Sequence, residues 1–262
     1  MHDAYPQKHP SGPLGLERTD HPVFRLPLGD AQVRWLQAHK HRLRFAIDPA
    51  SSPYLGFDKK RLVFVHVPKN AGTSVRDAIF KDTFRLPHFS AEALRRFQPQ
   101  AFDDYLVVAV LRNPATRLAS AFDYLTRVAP RDVDRRFGAG LLDTFGDLDG
   151  FYTGCLDDAV WRKICHWPHF RSQSEYVTDM HGRVIVDLLL CVEKLGEAAP
   201  DLSAYLGEEV DLGQRKNRGK SSYDLPADHL IDRLYKDDLA LWQWVYEGGL
   251  RWVSPRERFI QE

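Results

Sequence analysis

Arg61-Leu62-Val63-Phe64-Val65-His66-Val67 is an apolar run that leads directly into Pro68-Lys69-Asn70-Ala71-Gly72-Thr73-Ser74 and then into a helix-prone stretch ending at Phe80. A buried strand, a tight turn and a helix start in that order are the unit from which α/β domains are assembled. The turn also carries chemistry. The first turn of a helix leaves backbone N–H groups without intrahelical partners, and the positive end of the helix dipole lies there, so an anion is attracted. Gly72 lets the backbone come close to such an anion, Lys69 adds a full positive charge, and the hydroxyls of Thr73 and Ser74 add donors, with Asn70 and Ala71 completing the turn. The nucleoside-triphosphate loop, G-x-x-x-x-G-K-[ST], has its Lys after the second Gly. Here Lys69 precedes Gly72 by three residues and no first Gly is present, which argues against a kinase or NTPase loop.

A second unit of the same kind follows. Tyr105-Leu106-Val107-Val108-Ala109-Val110-Leu111 has the continuous apolar character of a strand covered on both faces, as in a parallel sheet. Arg112 stands at its end, Asn113 is a good N-cap and Pro114 a good first helical residue, so a helix is expected from Pro114 to about Arg127. Arg117, Ser120 and Tyr124 share one face of that helix. Arg112 offers a two-pronged donor to a phosphate, and Ser120 can donate to the same group. The plainer reading makes Arg112 a carboxylate partner and Ser120 a packing residue.

With both motifs in this order, residues 61 to about 250 resemble the sulfotransferases that use 3'-phosphoadenosine 5'-phosphosulfate (PAPS), in the branch of carbohydrate enzymes like heparan sulfate 2-O-sulfotransferase. There a strand followed by P-K-T-[AG]-[GS]-T-S holds the 5'-phosphosulfate, and a strand followed by R-D-P-x-x-R-x-x-S holds the 3'-phosphate. This chain has PKNAGTS from Pro68 and RNPATRLAS from Arg112, with Asn70 in place of Thr and Asn113 in place of Asp. The resemblance implies an α/β fold, a P-loop-like three-layer sandwich whose central, mostly parallel sheet is flanked by helices. It implies that Lys69, Asn70, Ala71, Gly72, Thr73, Ser74, Arg112 and Ser120 bind PAPS.

Further residues follow from the same resemblance. Related enzymes carry a His about two dozen residues before the phosphate-binding Arg, and His88 precedes Arg112 by 24. As general base it would take the proton of an acceptor hydroxyl, an effect worth ~10²- to 10⁴-fold in rate. Gln173, Tyr176 and Glu193 match a Q-x-x-Y element before a strand ending in Glu, the strand here lying between Arg183 and Glu193. Glu193 can equally be a strand-end capping or pairing residue. Arg215, Lys216 and Asn217, in a Gly-flanked basic loop that also holds Arg218 and Lys220, match a loop that closes on the nucleotide. PAPS carries roughly four negative charges, more than Lys69 and Arg112 alone can balance. The implied reaction moves a sulfuryl group from PAPS to a hydroxyl of a saccharide or glycoconjugate, His88 acting as base and Lys69 stabilising the leaving oxygen, with release of 3',5'-ADP. A small alcohol or phenol remains an alternative acceptor, and a non-catalytic nucleotide binder an alternative class.

The rest of the chain sets the frame. At 262 residues with 44% hydrophobic content it can bury a substantial core as a single domain. Lys plus Arg and Asp plus Glu both number 36, so no global field draws it to nucleic acid or anionic membranes. Arg127, Arg131, Arg135 and Arg136 could meet an acidic acceptor or form a solvated surface. Cys155, Cys165 and Cys191 form no C-x-x-C pair and no H-E-x-x-H is present, so no metal is expected. Golgi relatives of the family carry a membrane anchor; no run here approaches the ~18–20 apolar residues of a span, and a cytoplasmic enzyme with free thiols is expected. Residues 1–60 read as an N-terminal arm that packs on the core or builds an oligomer contact, with a helix over Ala31 to Ile47, and residues 61–262 as the sulfotransferase domain. Pro130 to Thr153, rich in Gly and Asp, reads as a substrate loop or lid, and Pro226 to Glu247 as one or two helices packed on the core.

Overall fold

The computed structural model describes residues 52–81, 84, 86–129, 132–213, 224–248 and 250–253. Four strands form one sheet in the order β1 (Leu62–Val65), β2 (Leu106–Leu111), β3 (Leu188–Cys191), β4 (Leu250–Trp252). β1 and β2 are parallel, with Val63 opposite Val107, and β2 and β3 are parallel, with Ala109 opposite Leu189. β4 runs antiparallel to β3. Every residue of β1, β2 and β3 is buried, which is why these strands read as unbroken apolar runs rather than alternating ones. The mostly parallel α/β sheet expected from the sequence is present.

Helices fill the connections: α1 (Tyr54–Phe57), α2 (Gly72–Phe80), α3 (Ala91–Phe97), α4 (Pro99–Asp104), α5 (Pro114–Asp123), α6 (Asp132–Leu141), α7 (Leu148–Gly154), α8 (Asp158–Ile164), α9 (Ser174–Val177), α10 (Ala199–Leu206) and α11 (Asp228–Gly248). α5 starts as read, with Asn113 Oδ1 accepting from the amides of Ala115 and Thr116 and Pro114 in the first turn. It then widens into a π turn over Tyr124–Val128. α11 is one element broken at Tyr235, where the backbone leaves helical geometry.

Two apolar clusters hold these pieces. One surrounds the sheet and takes in Tyr54 and Phe57, so the described end of the N-terminal arm is part of the main core; Tyr54 also donates to the carbonyl of Leu94. The other joins α5, α7 and α11 through Leu118, Phe122, Phe151, Ile231 and Tyr235. Ala31 to Ile47 lies outside the described residues.

The reading of Pro130 to Thr153 as a loop or lid is corrected. From Asp132 on, this stretch is α6, a 3-10 turn (Leu142–Phe145) and most of α7, with Leu142 and Phe151 fully buried. Two of its glycines serve close packing: a Cβ on Gly138 would lie 2.2 Å from the carbonyl oxygen of Leu125 and one on Gly150 2.2 Å from that of Phe145, whereas Gly140 and Gly146 face open space. Among the described residues no helix is long and apolar enough to cross a membrane.

Candidate functional site

The site is built where the carboxyl ends of three adjacent parallel strands meet, the usual place for a ligand in a sheet of this kind. After β1 the backbone takes left-handed conformations at Lys69 (φ 70°) and Ala71 (φ 56°), with no positive φ at Asn70 between them. Alternation of this sort turns successive N–H groups toward one point and makes a concave anion nest. For residues other than glycine it costs about 1–2 kcal/mol each, so something must hold it.

Three side chains do. The buried Arg117 donates from Nε to the carbonyl of Pro68 (3.1 Å), and Arg112 donates from Nη1 to the carbonyl of Lys69 (3.1 Å). In a trans peptide the N–H points away from the C=O, so pinning these two carbonyls turns the amides of Lys69 and Asn70 to the opposite side. Asn70, 1% exposed, donates from Nδ2 to the carbonyl of Val110 (2.7 Å) and to Gln173 Oε1 (2.9 Å). The helix that follows has Ala71 as its N-cap residue and no capping side chain, leaving its first turn open to an anion. Thr73 and Ser74 sit half-buried in that turn.

Gly72, expected to let the backbone come close to an anion, also leaves no room for a side chain: its φ is not positive, and a Cβ there would lie 2.0 Å from Cδ2 and 2.1 Å from Nε2 of His66. The His66 ring presses on the first turn of α2. Lys69 Nζ lies 4.0 Å from the centroid of the Tyr124 ring, at the start of the π turn. Burial, and next the Arg112 guanidinium, pull the Lys69 ammonium down from its ordinary value to about 8. Arg117 adds to that pull and Asp123 opposes it. A cation made costly by burial and by neighbouring cations gains most from an arriving anion.

Gln173 ties the two loops together. Its Oε1 accepts from Asn70 and from the amide of Arg112 (3.1 Å), and its Nε2 donates to the carbonyl of Arg112 (2.8 Å). Gln173 is held in turn by Asp238 of α11, a fully buried carboxylate that accepts from the amides of Gln173 (2.7 Å) and Ser174 (2.8 Å) and from the Ser172 hydroxyl. Burial pushes this carboxyl up, against Arg117 and the three donors. Glu193, just beyond β3, accepts from the amide of Asn113 (2.9 Å), from Trp242 Nε1 (3.1 Å) and from the Cys191 thiol (2.7 Å), so it braces the second loop. Tyr176 is core: its hydroxyl donates to the Pro168 carbonyl (2.9 Å). Arg112 also donates from Nε to Thr116 Oγ1 (3.1 Å), and Ser120 is buried one turn after Arg117.

His88 stands beside this loop. Its Nδ1 lies 3.2 Å from the carbonyl oxygen of His66, and the Nδ1 of His66 lies 3.2 Å from that of Leu86. A carbonyl only accepts, so both rings carry their proton on Nδ1 and present a basic Nε2 when neutral. His88 packs on His66 with ring centroids 4.4 Å apart and on His169 at 5.6 Å, and His169 packs on Tyr124 at 5.0 Å. From Lys69 through Tyr124, His169 and His88 to His66 there is a continuous wall of polar rings. His66 lies inside the motif quoted above; His169, Asp134 and Asp238 have no local sequence signal and are brought in by the fold.

Arg215, Lys216 and Asn217 lie outside the described residues. Arg127, Arg135 and Arg136 are exposed, Arg127 pairing with Asp123 at 3.4 Å. The three cysteines are free thiols, and among the described residues no group of three or more His, Cys, Asp and Glu is arranged to hold a metal ion. Comparison of the chain with protein-family models, with curated proteins and with solved structures finds no match in any of the three.

Proposed function

We propose that the protein is a PAPS-dependent sulfotransferase acting on a hydroxyl of a saccharide or glycoconjugate, built on a P-loop-like three-layer α/β core. The observation that carries this reading is one loop: two left-handed non-glycine residues, an uncapped helix start and the Lys69 ammonium converge beside an imidazole whose tautomer is set by a backbone carbonyl. The nest suits a phosphate oxyanion, and the cations Lys69 and Arg112 suit a ligand with several negative charges. Asn70, Ala71, Gly72, Thr73 and Ser74 would hold the 5'-phosphosulfate end, with Arg112 and Ser120 toward the 3'-phosphate and Arg215, Lys216 and Asn217 over the nucleotide.

Bound PAPS supplies an activated sulfuryl group whose S–O bond breaks as a new one forms. His88 Nε2 takes the proton of the attacking hydroxyl. Lys69 meets the charge that develops on the bridging oxygen, and the amides of the nest act as preorganised donors that need no rearrangement during the step. Tyr124 fixes where the Lys69 ammonium stands.

Incubation of the full chain with sulfur-labelled PAPS and a panel of glycans, small alcohols and phenols, with chelator present, tests the proposal. Label is expected on a saccharide, and His88→Ala is expected to lower the rate by ~10²- to 10⁴-fold. Binding of PAPS without transfer to any acceptor would leave a non-catalytic nucleotide binder, and transfer from ATP with magnesium would leave a kinase.

A further inference from the structure

Residues 170–174 carry Gln173, which bonds both loops, and this short segment is gripped from two sides. From α5, the buried Arg117 donates from Nη2 to the carbonyl of Arg171 (2.8 Å) while its Nε holds Pro68. From α11, Tyr235 donates to the carbonyl of Phe170, and Asp238, three residues on, accepts from the amides of Gln173 and Ser174 on separate oxygens. Oδ2 takes Gln173; Oδ1 takes Ser174 together with the Ser172 hydroxyl. Asp238 is fully buried, so water does not stand in for any of these bonds. An asparagine in its place has one oxygen, and whichever way it turns, one of the two amides faces an NH₂ group instead of an acceptor. Trp242 lies one turn beyond Asp238 on the same face of α11 and reaches the second loop by a separate route. Its Nε1 donates to Glu193 Oε2 (3.1 Å), and Glu193 Oε1 accepts from the amide of Asn113 (2.9 Å).

We propose that α11 sets the shape of the anion cradle, with Asp238 the positioning residue that fixes both loops through Gln173, and Trp242 a lesser one that fixes the second loop through Glu193. The route from Asp238 dominates because Gln173 meets the Asn70 side chain within the nest as well as the N–H and C=O of Arg112. Glu193 meets the second loop at the amide of Asn113. Left-handed residues other than glycine relax unless their surroundings hold them, so a loosened Gln173 frees Asn70 and with it the backbone at Lys69 and Ala71. That the two loops hold the ends of a nucleotide rests on the sulfotransferase reading; that α11 holds their shape does not.

The test makes two measurements on the full chain: affinity for 3',5'-ADP by titration calorimetry, and hydrogen exchange of the Asn70 side-chain amide by NMR. Ile231→Val serves as the control, since it loosens α11 in the second apolar cluster, away from both routes. Asp238→Asn is expected to weaken 3',5'-ADP about tenfold and to speed the Asn70 exchange about tenfold. Trp242→Phe is expected to weaken 3',5'-ADP about threefold with the Asn70 exchange unchanged, and Ile231→Val to leave both within about twofold. An Asp238→Asn protein that loses no more affinity than Ile231→Val, or that keeps its slow Asn70 exchange, overturns the proposal. If Asp238→Asn does not fold, the wild type decides. Coupling is reciprocal, so saturating 3',5'-ADP should slow exchange of the Gln173 and Ser174 amides more than that of the Phe151 amide in α7, and equal slowing overturns the proposal. A wild type that does not bind 3',5'-ADP sinks the nucleotide reading, and the Asn70 exchange then decides the positioning by itself.

Discussion

β1 with α2 and β2 with α5 have the same outline, a fully buried parallel strand that runs through a short loop into a helix, and they lie side by side in the sheet. Their helix starts are handled in opposite ways. In the second unit Asn113 closes the end of α5 with its own side chain, taking the amides of Ala115 and Thr116. In the first unit Ala71 offers no side chain, and the backbone is bent through two left-handed residues. The second unit satisfies itself and spends Arg112 and Arg117 on the carbonyls of the first. One unit is therefore a brace and the other a cradle. Two similar motifs in a sequence do not imply two equivalent anion sites; an anion on the second side would meet the side chains of Arg112 and Ser120, whereas on the first it meets amides as well.

The sharpest break between the units comes at Gly72. A methyl group there would meet the His66 ring at 2.0 Å, and that ring is tied to Leu86 and packed at a tilt against His88. Gly72→Ala is expected to cost about 3 kcal/mol, read from urea unfolding, and to abolish 3',5'-ADP binding. Adding His66→Ala should restore most of the stability. If Gly72→Ala is neutral, the cradle is not locked by His66.

Gln173→Leu tests whether brace and cradle are one unit. It removes the Gln173 partner of one N–H of the buried Asn70 amide, whose other bond to the Val110 carbonyl remains, and of the Arg112 backbone N–H and C=O, at a cost of about 2–3 kcal/mol. Affinity for 3',5'-ADP should fall with stability; if affinity stays unchanged, the loops are not coupled through Gln173.

Much of this comparison was legible in the sequence, for a physical reason. Strands covered on both faces must be apolar throughout, so β1 and β2 stand out, and Asn113-Pro114 is a helix start by local chemistry alone. What stayed hidden depends on contacts across long stretches of chain. Asp238 reaches Gln173 from α11, 65 residues away, and His169 meets Asp134 only because α6 folds back on the π turn. Gly138 and its neighbours read as loose because glycine content signals loops on average, while here a missing Cβ admits the Leu125 carbonyl. Nothing in the sequence marks Lys69 and Ala71, rather than Gly72, as the residues with positive φ angles. No local propensity would assign them there, and only the grip of Arg112, Arg117 and Asn70 makes that conformation stable.

A smaller effect separates the units by charge. With Lys69 held down at about 8, its ammonium is present at pH 7 and mostly lost at pH 9. Affinity for 3',5'-ADP should fall about tenfold across that interval. Lys69→Arg should remove the fall, and Lys69→Ala should give weak binding at both ends. Because this pKa is lower in the folded than in the unfolded chain, the unfolded chain binds more protons above pH 8. Stability should therefore rise with pH from about 8 toward the ordinary lysine value, and a flat stability profile there would mean that Lys69 is not held down.

The least expensive change is the one that turns brace into cradle. Asn113→Ala removes the cap of α5 and should cost about 1 kcal/mol, with little change in 3',5'-ADP affinity, because the first unit is untouched. The amides of Ala115 and Thr116 are then left at a helix start like that of α2, within reach of the positive end of the dipole. Added sulfate should consequently stabilise Asn113→Ala more than it stabilises the wild type, seen as a larger rise in the urea midpoint. Equal stabilisation of the two proteins would mean that the cap is not what keeps anions from the second helix, and that its difference from the first lies in the left-handed backbone at Lys69 and Ala71 alone.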